Sequence, residues 1–489
     1  MRDYYSIKIN FTGGIISPGN LLNILKAAHT AKVKSVRFGL RQQLIMEVFR
    51  EEFNSFKSSL IELNADYEVN NDVFPNIVSS YPISESFSTG NWLTEGIYKD
   101  IFDLFDFKPK LKINIVDLNQ SFTPFFTGNL NFIASEDTNF WFLFIRFPKT
   151  NNIYKWENLI FTNEISRLSK TIEEVIFNQS DLFYENPLAD GKSLFKQIEN
   201  NFYFINKPME SELELPPFML PYYEGFNKDN NKLWLGIYMR KELYSIPFLN
   251  DLCNVCLQTK IGQILVTNWK SIIIKDINVE ERHLWSRILD HHQMNIRHGA
   301  NELNWQLEDN NDEAIQLKHQ LVKYLDKYDA RTYGLSFAIQ TKPKSELFGS
   351  IIIRKKPLIS ISGTGFFNVF DILYTEDFNP NSRKLKVFQK NLLKLHLGEQ
   401  LRRLCRVYYH SFANPAKIVE TKNEDVDFEN ISIYHSCKHC FTIYDQYFGD
   451  SINEINSGIP FSELPETFIC SVCEAPKSDF VEVNSYIEF

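Results

Sequence analysis

The chain has 489 residues, 44% hydrophobic and 15% aromatic, enough apolar side chain for two to four packed domains. Its net charge of −9 argues against a nucleic-acid partner, whose phosphates select clustered Lys and Arg. No window approaches 18 uninterrupted apolar residues, so no membrane span is expected.

In chain order, Ile7-Lys8-Ile9-Asn10-Phe11 alternates as a strand and Gly13-Gly14 makes a turn. Met1-Arg2-Asp3-Tyr4-Tyr5, ahead of it, lacks the basic-then-apolar form of an export signal. Ser17-Pro18 reads as an N-cap with proline at the first helical position, and Leu21, Leu22, Leu25 and Ala28 follow at helical spacing. Residues 36–40 predict a strand with Arg37 on the face opposite Val36 and Phe38, and the segment continues through Arg41-Gln42-Gln43 to Val48. The same order returns about 228 residues later: a strand over 233–237, a helix opened by Ser245-Ile246-Pro247, then apolar strands within 264–274 around the turn Thr267-Asn268-Trp269-Lys270. A repeat of this length implies duplicated domains, not a solenoid.

The segments after each copy also correspond. Strand patterns at 111–116, 130–133 and 140–145 match those at 333–339 and 349–353, and helical patterns cover 313–328 and 385–409. The expected fold class is α+β, two similar halves with mixed or antiparallel sheets. The expected domains are 1–80 and 230–300 as half-domains, 81–229 and 301–410 as larger α/β domains, a polar linker 411–430, and a small C-terminal domain 431–489. The linker expectation rests on Asn414-Pro415 and on the run 420–427, which lacks periodicity.

Four of the seven cysteines form two C-x-x-C pairs, Cys437/Cys440 and Cys470/Cys473, separated by 29 residues. Four soft thiolates suit one tetrahedral iron or zinc ion. Around them stand Tyr434, Tyr444-Asp445, Gly449-Asp450, Gly458-Ile459-Pro460-Phe461, Leu464-Pro465 and Ala475-Pro476-Lys477-Ser478-Asp479-Phe480. This stretch resembles rubredoxin over essentially its whole length. The resemblance implies one iron bound by Cys437, Cys440, Cys470 and Cys473, carrying one electron at a time to a redox partner protein. The family's glycine after each C-x-x-C is Phe441 in one knuckle and Glu474 in the other. Zinc ribbons usually have shorter spacers and lack this aromatic framework, which favours iron over a zinc-stapled interaction protein. Residues 431–489 hold nine acids and two bases, a charge of −7, leaving −2 for the rest and suiting a basic docking surface.

Residues 1–400 resemble the sulfite and nitrite reductases that use sirohaem and a four-iron cluster, with ferredoxin-like half-domains alternating with larger α/β domains. The likeness rests on residues 36–48 and 263–277. Arg41 and Gln42 match the family's Thr-x-Arg-Gln turn, though its threonine is missing, and Pro109-Lys110-Leu111-Lys112 matches a lysine pair placed on a strand. By that resemblance Arg41, Lys110 and Lys112 would hold an anion or sirohaem. The cluster's C-x5-C and C-x3-C are absent, so no 4Fe–4S cluster is expected in the body. The leading reading is therefore a rubredoxin-type electron carrier serving a nitrite, nitrate or sulfite reductase system, more a carrier than a self-sufficient oxidoreductase. The alternative is a sirohaem-binding oxyanion reductase without the cluster.

Cys253, Cys256 and Cys405 remain; with no export signal they suggest a reducing cytoplasm and core packing. His283, His291, His292 and His298 cluster with Arg282, Arg287 and Arg297. Surface or cap roles are expected for them, since no carboxylate spacing marks them as ligands.

Overall fold

The computed structural model describes residues 3–84, 86–87, 92–342, 347–361, 364–413, 433–439, 443–444, 450, 453, 455–456, 458–471 and 474–484. They fall into two units, Met1–Tyr408 and Tyr409–Phe489.

The first unit opens with β1 (Tyr4–Asn10), β2 (Ile15–Ile16), α1 (Pro18–Thr30), β3 (Ser35–Phe38), β4 (Gln43–Phe49), α2 (Arg50–Glu62) and β5 (Tyr67–Val69). Helix α1 starts where its cap predicts: the Ser17 side chain accepts from the Asn20 amide, and Pro18 has no amide to leave unpaired. Leu21, Leu25 and Ala28 are fully buried beneath it.

A mixed sheet follows, built from β6 (Val78–Ser79), β7 (Ile113–Val116), β8 (Leu130–Ala134), β9 (Phe140–Arg146), β10 (Ile153–Lys155), β11 (Asn158–Phe161) and β12 (Asn206–Pro208). Helices α3 (Glu95–Asp103), α4 (Ile165–Asn178), α5 (Ser180–Phe183) and α6 (Gly191–Asn201) accompany it. Strands β6, β7 and β8 pair in parallel, and β9 joins antiparallel. Every residue of β7 and β8 is buried, which explains their unbroken apolar runs. Strand β7 begins at Ile113, so Lys110 and Lys112 precede it and do not share a strand face as expected. The Lys110 and Leu111 amides donate to Glu173 Oε2 and the Lys112 amide to Asn129 Oδ1. Side chains thus take the donors that a longer β ladder would need.

The second copy comprises β13 (Gly225–Asp229), β14 (Lys232–Ile237), β15 (Tyr244–Ser245), α7 (Ile246–Gln258), β16 (Ile264–Val266), β17 (Ile272–Asn278) and α8 (Arg282–His291). Ser245 caps α7 by accepting from the Phe248 amide, as Ser17 caps α1. The tight turns correspond too. Gln42 N donates to Gly39 O and Lys270 N to Thr267 O, and both Gln42 and Lys270 are left-handed. The half-domains also trade strands. Strand β15 pairs with β3 of the first copy, and β2 pairs with β16 of the second. The sheet orders are accordingly β15-β3-β4-β1-β5 and β13-β14-β17-β16-β2. One core runs through both, from Ile7 and Leu25 to Leu252 and Trp285.

The last part of this unit contains α9 (Ala300–Leu303), β18 (Trp305–Leu307), α10 (Asp312–Lys327), β19 (Phe337–Gln340), β20 (Ile351–Ile361), β21 (Thr364–Thr375), β22 (Leu385–Leu392) and α11 (Leu397–Ala413). Again two parallel pairings precede an antiparallel strand. The fold is thus α+β, with duplicated ferredoxin-like half-domains alternating with larger mixed-sheet domains.

The helix expected over 385–409 is a strand followed by a helix. Leu385-Lys386-Val387 alternates and pairs with Thr375, Tyr374 and Leu373 of β21. As an edge strand β22 exposes most of its side chains, so it carries no buried stripe that fixes a helical period. Helix α11 extends to Ala413, so the first residues of the expected linker are helical; 414–430 lie outside the described residues.

In the second unit β23 (Ile433–Cys437) runs antiparallel between β24 (Ile443–Tyr444) and β25 (Phe480–Asn484).

Candidate metal centre and cationic cleft

Cys437 ends β23 opposite Phe480 of β25, and its side chain is buried. Cys470 is buried as well, and its amide donates to Ala475 O at 2.8 Å. The Glu474 amide returns to Cys470 O at 2.9 Å, closing the second knuckle. Cys440 and Cys473 lie outside the described residues, as do Phe441, Asp445 and Gly449. Phe461 and Phe468 stand 6.1 Å apart by ring centroid, with Tyr444 and Phe480 packed on both. The Tyr444 hydroxyl donates to Ile459 O at 2.8 Å, and Lys477 Nζ donates to Leu464 O at 2.6 Å. These bonds tie the spacer to the knuckles. The two buried thiols share a cluster with Tyr444, Phe468 and Phe480, and thiols are the soft donors that iron or zinc takes.

A rubredoxin family model matches residues 434–480. The probable rubredoxin HupI of Bradyrhizobium diazoefficiens is 45% identical over 49 residues, spanning 10% of this chain and 71% of that protein. The chain belongs to the rubredoxin family. The probable rubredoxin-1 of Methanocaldococcus jannaschii is 39% identical over 57 residues, 11% of this chain and 71% of that one. The NirA protein of Mycobacterium tuberculosis shares the fold of the large unit. Its structure aligns with a TM-score of 0.63 at 14% identity, covering 82% of this chain and 80% of that one. The rubredoxin region supports iron-based electron transfer with redox partners, and no described helix is long and apolar enough to cross a membrane.

The departure noted at Glu474 has a visible backbone counterpart. Its φ is +58°, the left-handed region where a Cβ is unfavourable and glycine is not. Glu474→Gly is expected to stabilise the rubredoxin unit by about 1 kcal/mol. Thermal release of its metal, followed by absorption, would move to higher temperature; a fall would show that the side chain has contacts outweighing the backbone cost.

In the large unit Arg41 sits in the turn after β3. Its guanidinium donates to Asn76 O at 2.7 Å, Ile113 O at 3.0 Å and Asn114 Oδ1 at 3.2 Å. Lys110 is exposed, with Nζ 5.8 Å from the centre of the Phe177 ring, and Lys112 is half-buried. At the corresponding turn of the second copy Trp269 takes the place of Arg41, buried, with Nε1 donating to Phe122 O at 2.9 Å.

A cleft of about 460 Å³ lies elsewhere, lined by Arg146, Lys149, Arg354 and Arg383 among polar and apolar neighbours. Arg146 is buried and donates to Gly128 O and Thr127 O; Arg383 donates to Phe126 O. Arg354 is fixed by Gln340 Oε1 at 2.9 Å. No carboxylate lines the cleft among the described residues, and neither Arg41, Lys110 nor Lys112 does. These four cations come from positions spread from 146 to 383, and no local signal in the sequence joins them. The lining fits an anion. It does not fit an iron tetrapyrrole, because the described lining offers no histidine, cysteine, methionine or tyrosine as axial ligand.

The remaining cysteines are buried in the core. Burial pushes the Cys253 and Cys405 thiols up to about 12 and raises Cys256 further. All three are therefore protonated at neutral pH. With the iron site loaded, a thiolate-specific reagent should label none of them until denaturant is added. Labelling of the native protein would show that this core opens.

Proposed function

We propose that this protein is a one-electron carrier whose rubredoxin unit binds a single iron through Cys437, Cys440, Cys470 and Cys473. The observation that carries this reading is the burial of Cys437 and Cys470 within residues 434–480, the stretch that the rubredoxin model matches. Four thiolates and a hydrophobic wall hold ferric and ferrous iron in nearly the same geometry, so little rearrangement opposes electron transfer. The partner is a reductase, in a nitrite, nitrate or sulfite reduction system; the NirA-like fold of the large unit supports that setting. Purified protein tests it directly. One iron per chain with ferric-thiolate absorption that bleaches on one-electron reduction supports the carrier. Colourless protein holding one zinc sinks it in favour of a stapled interaction module.

The large unit, on this reading, contributes an anion site. Arg146, Lys149, Arg354 and Arg383 bring four positive charges to a cleft whose described lining holds no carboxylate, with Glu185 pairing Lys149 at 2.8 Å from outside it, and their attraction for an oxyanion grows as the cleft excludes water. Titration with nitrite or sulfite should show binding that weakens at least tenfold in Arg354→Ala. Binding equal in that variant and the parent would remove the cleft from the proposal.

A further inference from the structure

We propose that the second half-domain carries a separate site for a divalent transition-metal ion, made by Asp251, His291 and His292. His291 is the last residue of α8 and His292 its C-cap; Asp251 reaches them from the middle of α7. One donor atom from each side chain lies within 4.8 Å of the other two. His292 Nε2 already stands 2.8 Å from Asp251 Oδ2. Nitrogen and oxygen donors about 2.0–2.2 Å from a shared ion stand roughly 3 to 3.4 Å apart, so the pair needs to open by about half an ångström at most.

The scaffold holds these groups in place. The His292 ring packs edge-on against Phe248, centroids 5.5 Å apart, and its side chain is 14% exposed. The two imidazole rings lie 4.8 Å apart and nearly perpendicular, so they do not stack face to face. His291 is exposed and Asp251 is partly so, which gives an ion an open path and leaves room for water ligands. Two imidazoles and one carboxylate suit zinc, nickel, copper or ferrous iron, and are too soft a set for calcium or magnesium. The histidine run alone does not reveal this site, because its carboxylate comes from 40 residues upstream, on the neighbouring helix.

The ion would clamp α7 to α8. With iron filling the cysteine site, the full chain titrated calorimetrically with zinc chloride should bind one zinc in the micromolar range, with the iron absorption unchanged. His291→Ala and Asp251→Asn should each weaken this at least tenfold, and His283→Ala should not. The melting temperature of the large unit should rise by about 3 °C at a hundredfold excess over Kd, and not in the two variants. Copper(II) in place of zinc should give an electron paramagnetic spectrum with nitrogen coupling from two imidazoles, reduced to one in His291→Ala. Zinc uptake matched by loss of the iron absorption, or equal affinity in all variants, overturns the proposal. The electron-carrier reading stands or falls separately, on the iron spectrum.

Discussion

Cys470→Ser is expected to strip the protein of its iron and its visible absorption while leaving the large unit folded. Serine offers a hard hydroxyl in place of a thiolate, and its proton is not lost at neutral pH, so a tetrahedral thiolate site loses one anionic ligand. Cys470 also sits in a buried knuckle, where its amide is held by Ala475 O and its carbonyl by Glu474 N. The substitution leaves both backbone bonds possible and removes only the thiolate. Because metal binding is folding free energy for so small a unit, the aromatic cluster around Phe461 and Phe468 should loosen with it. The large unit has its own cores and belongs to a separate unit of the chain, so its calorimetric transition should be unchanged. Retained iron with an intact spectrum would exclude Cys470 as a ligand.

Glu302→Ala should strongly destabilise the large unit, costing about 3–5 kcal/mol. Lys318 is almost wholly buried on α10, with Nζ 3.2 Å from Glu302 Oε1 and donating to the Tyr238 hydroxyl. Glu302 is equally buried and also pairs with Arg240 at 3.3 Å. Removing the carboxylate leaves an ammonium in a low-dielectric interior. Burial already pulls the Lys318 pKa below its usual value, and Glu302 is the first of the groups that hold it up. In the variant the folded-state pKa falls further, so between it and the ordinary lysine value the unfolded chain binds more protons than the folded one. Stability must then rise with pH. Chemical denaturation of Glu302→Ala should show a deficit that shrinks from pH 7 toward pH 10. A deficit independent of pH would mean that lost packing, and not a stranded charge, causes it. Glu302→Ala with Lys318→Met should recover most of the loss.

The parts of the fold that were legible in the sequence are those with local causes. Ser17-Pro18 and Ser245-Ile246-Pro247 announced two equivalent helices because capping is settled within four residues. The rubredoxin unit was legible because its cysteine pairs and aromatic framework occupy one short stretch. Strands β2 and β15 were not, since two residues carry no periodicity and their partners lie in the other half-domain. Strand β22 was misread because leucines and lysines on an exposed edge satisfy a helical template as readily as an alternating one. The cationic cleft was invisible for a different reason. Arg146 and Arg354 end up on one cavity only through two separately built sheets, and no spacing encodes that meeting.

The traded strands between the half-domains set an order of events during synthesis. Strand β3 leaves the ribosome roughly 200 residues before β15, the segment that completes its sheet. At ordinary elongation rates that is a wait on the order of 10 to 40 s. During it the apolar edge of the first sheet stands open, and Tyr244, later buried against Phe38, does not yet exist. A nascent chain in that state is a substrate for any holdase that recognises bare β edges. Cut between the copies, neither piece can finish its own sheet, but each carries the strand the other lacks. Two fragments supplied separately, one ending and one beginning near residue 215, should therefore find each other and assemble.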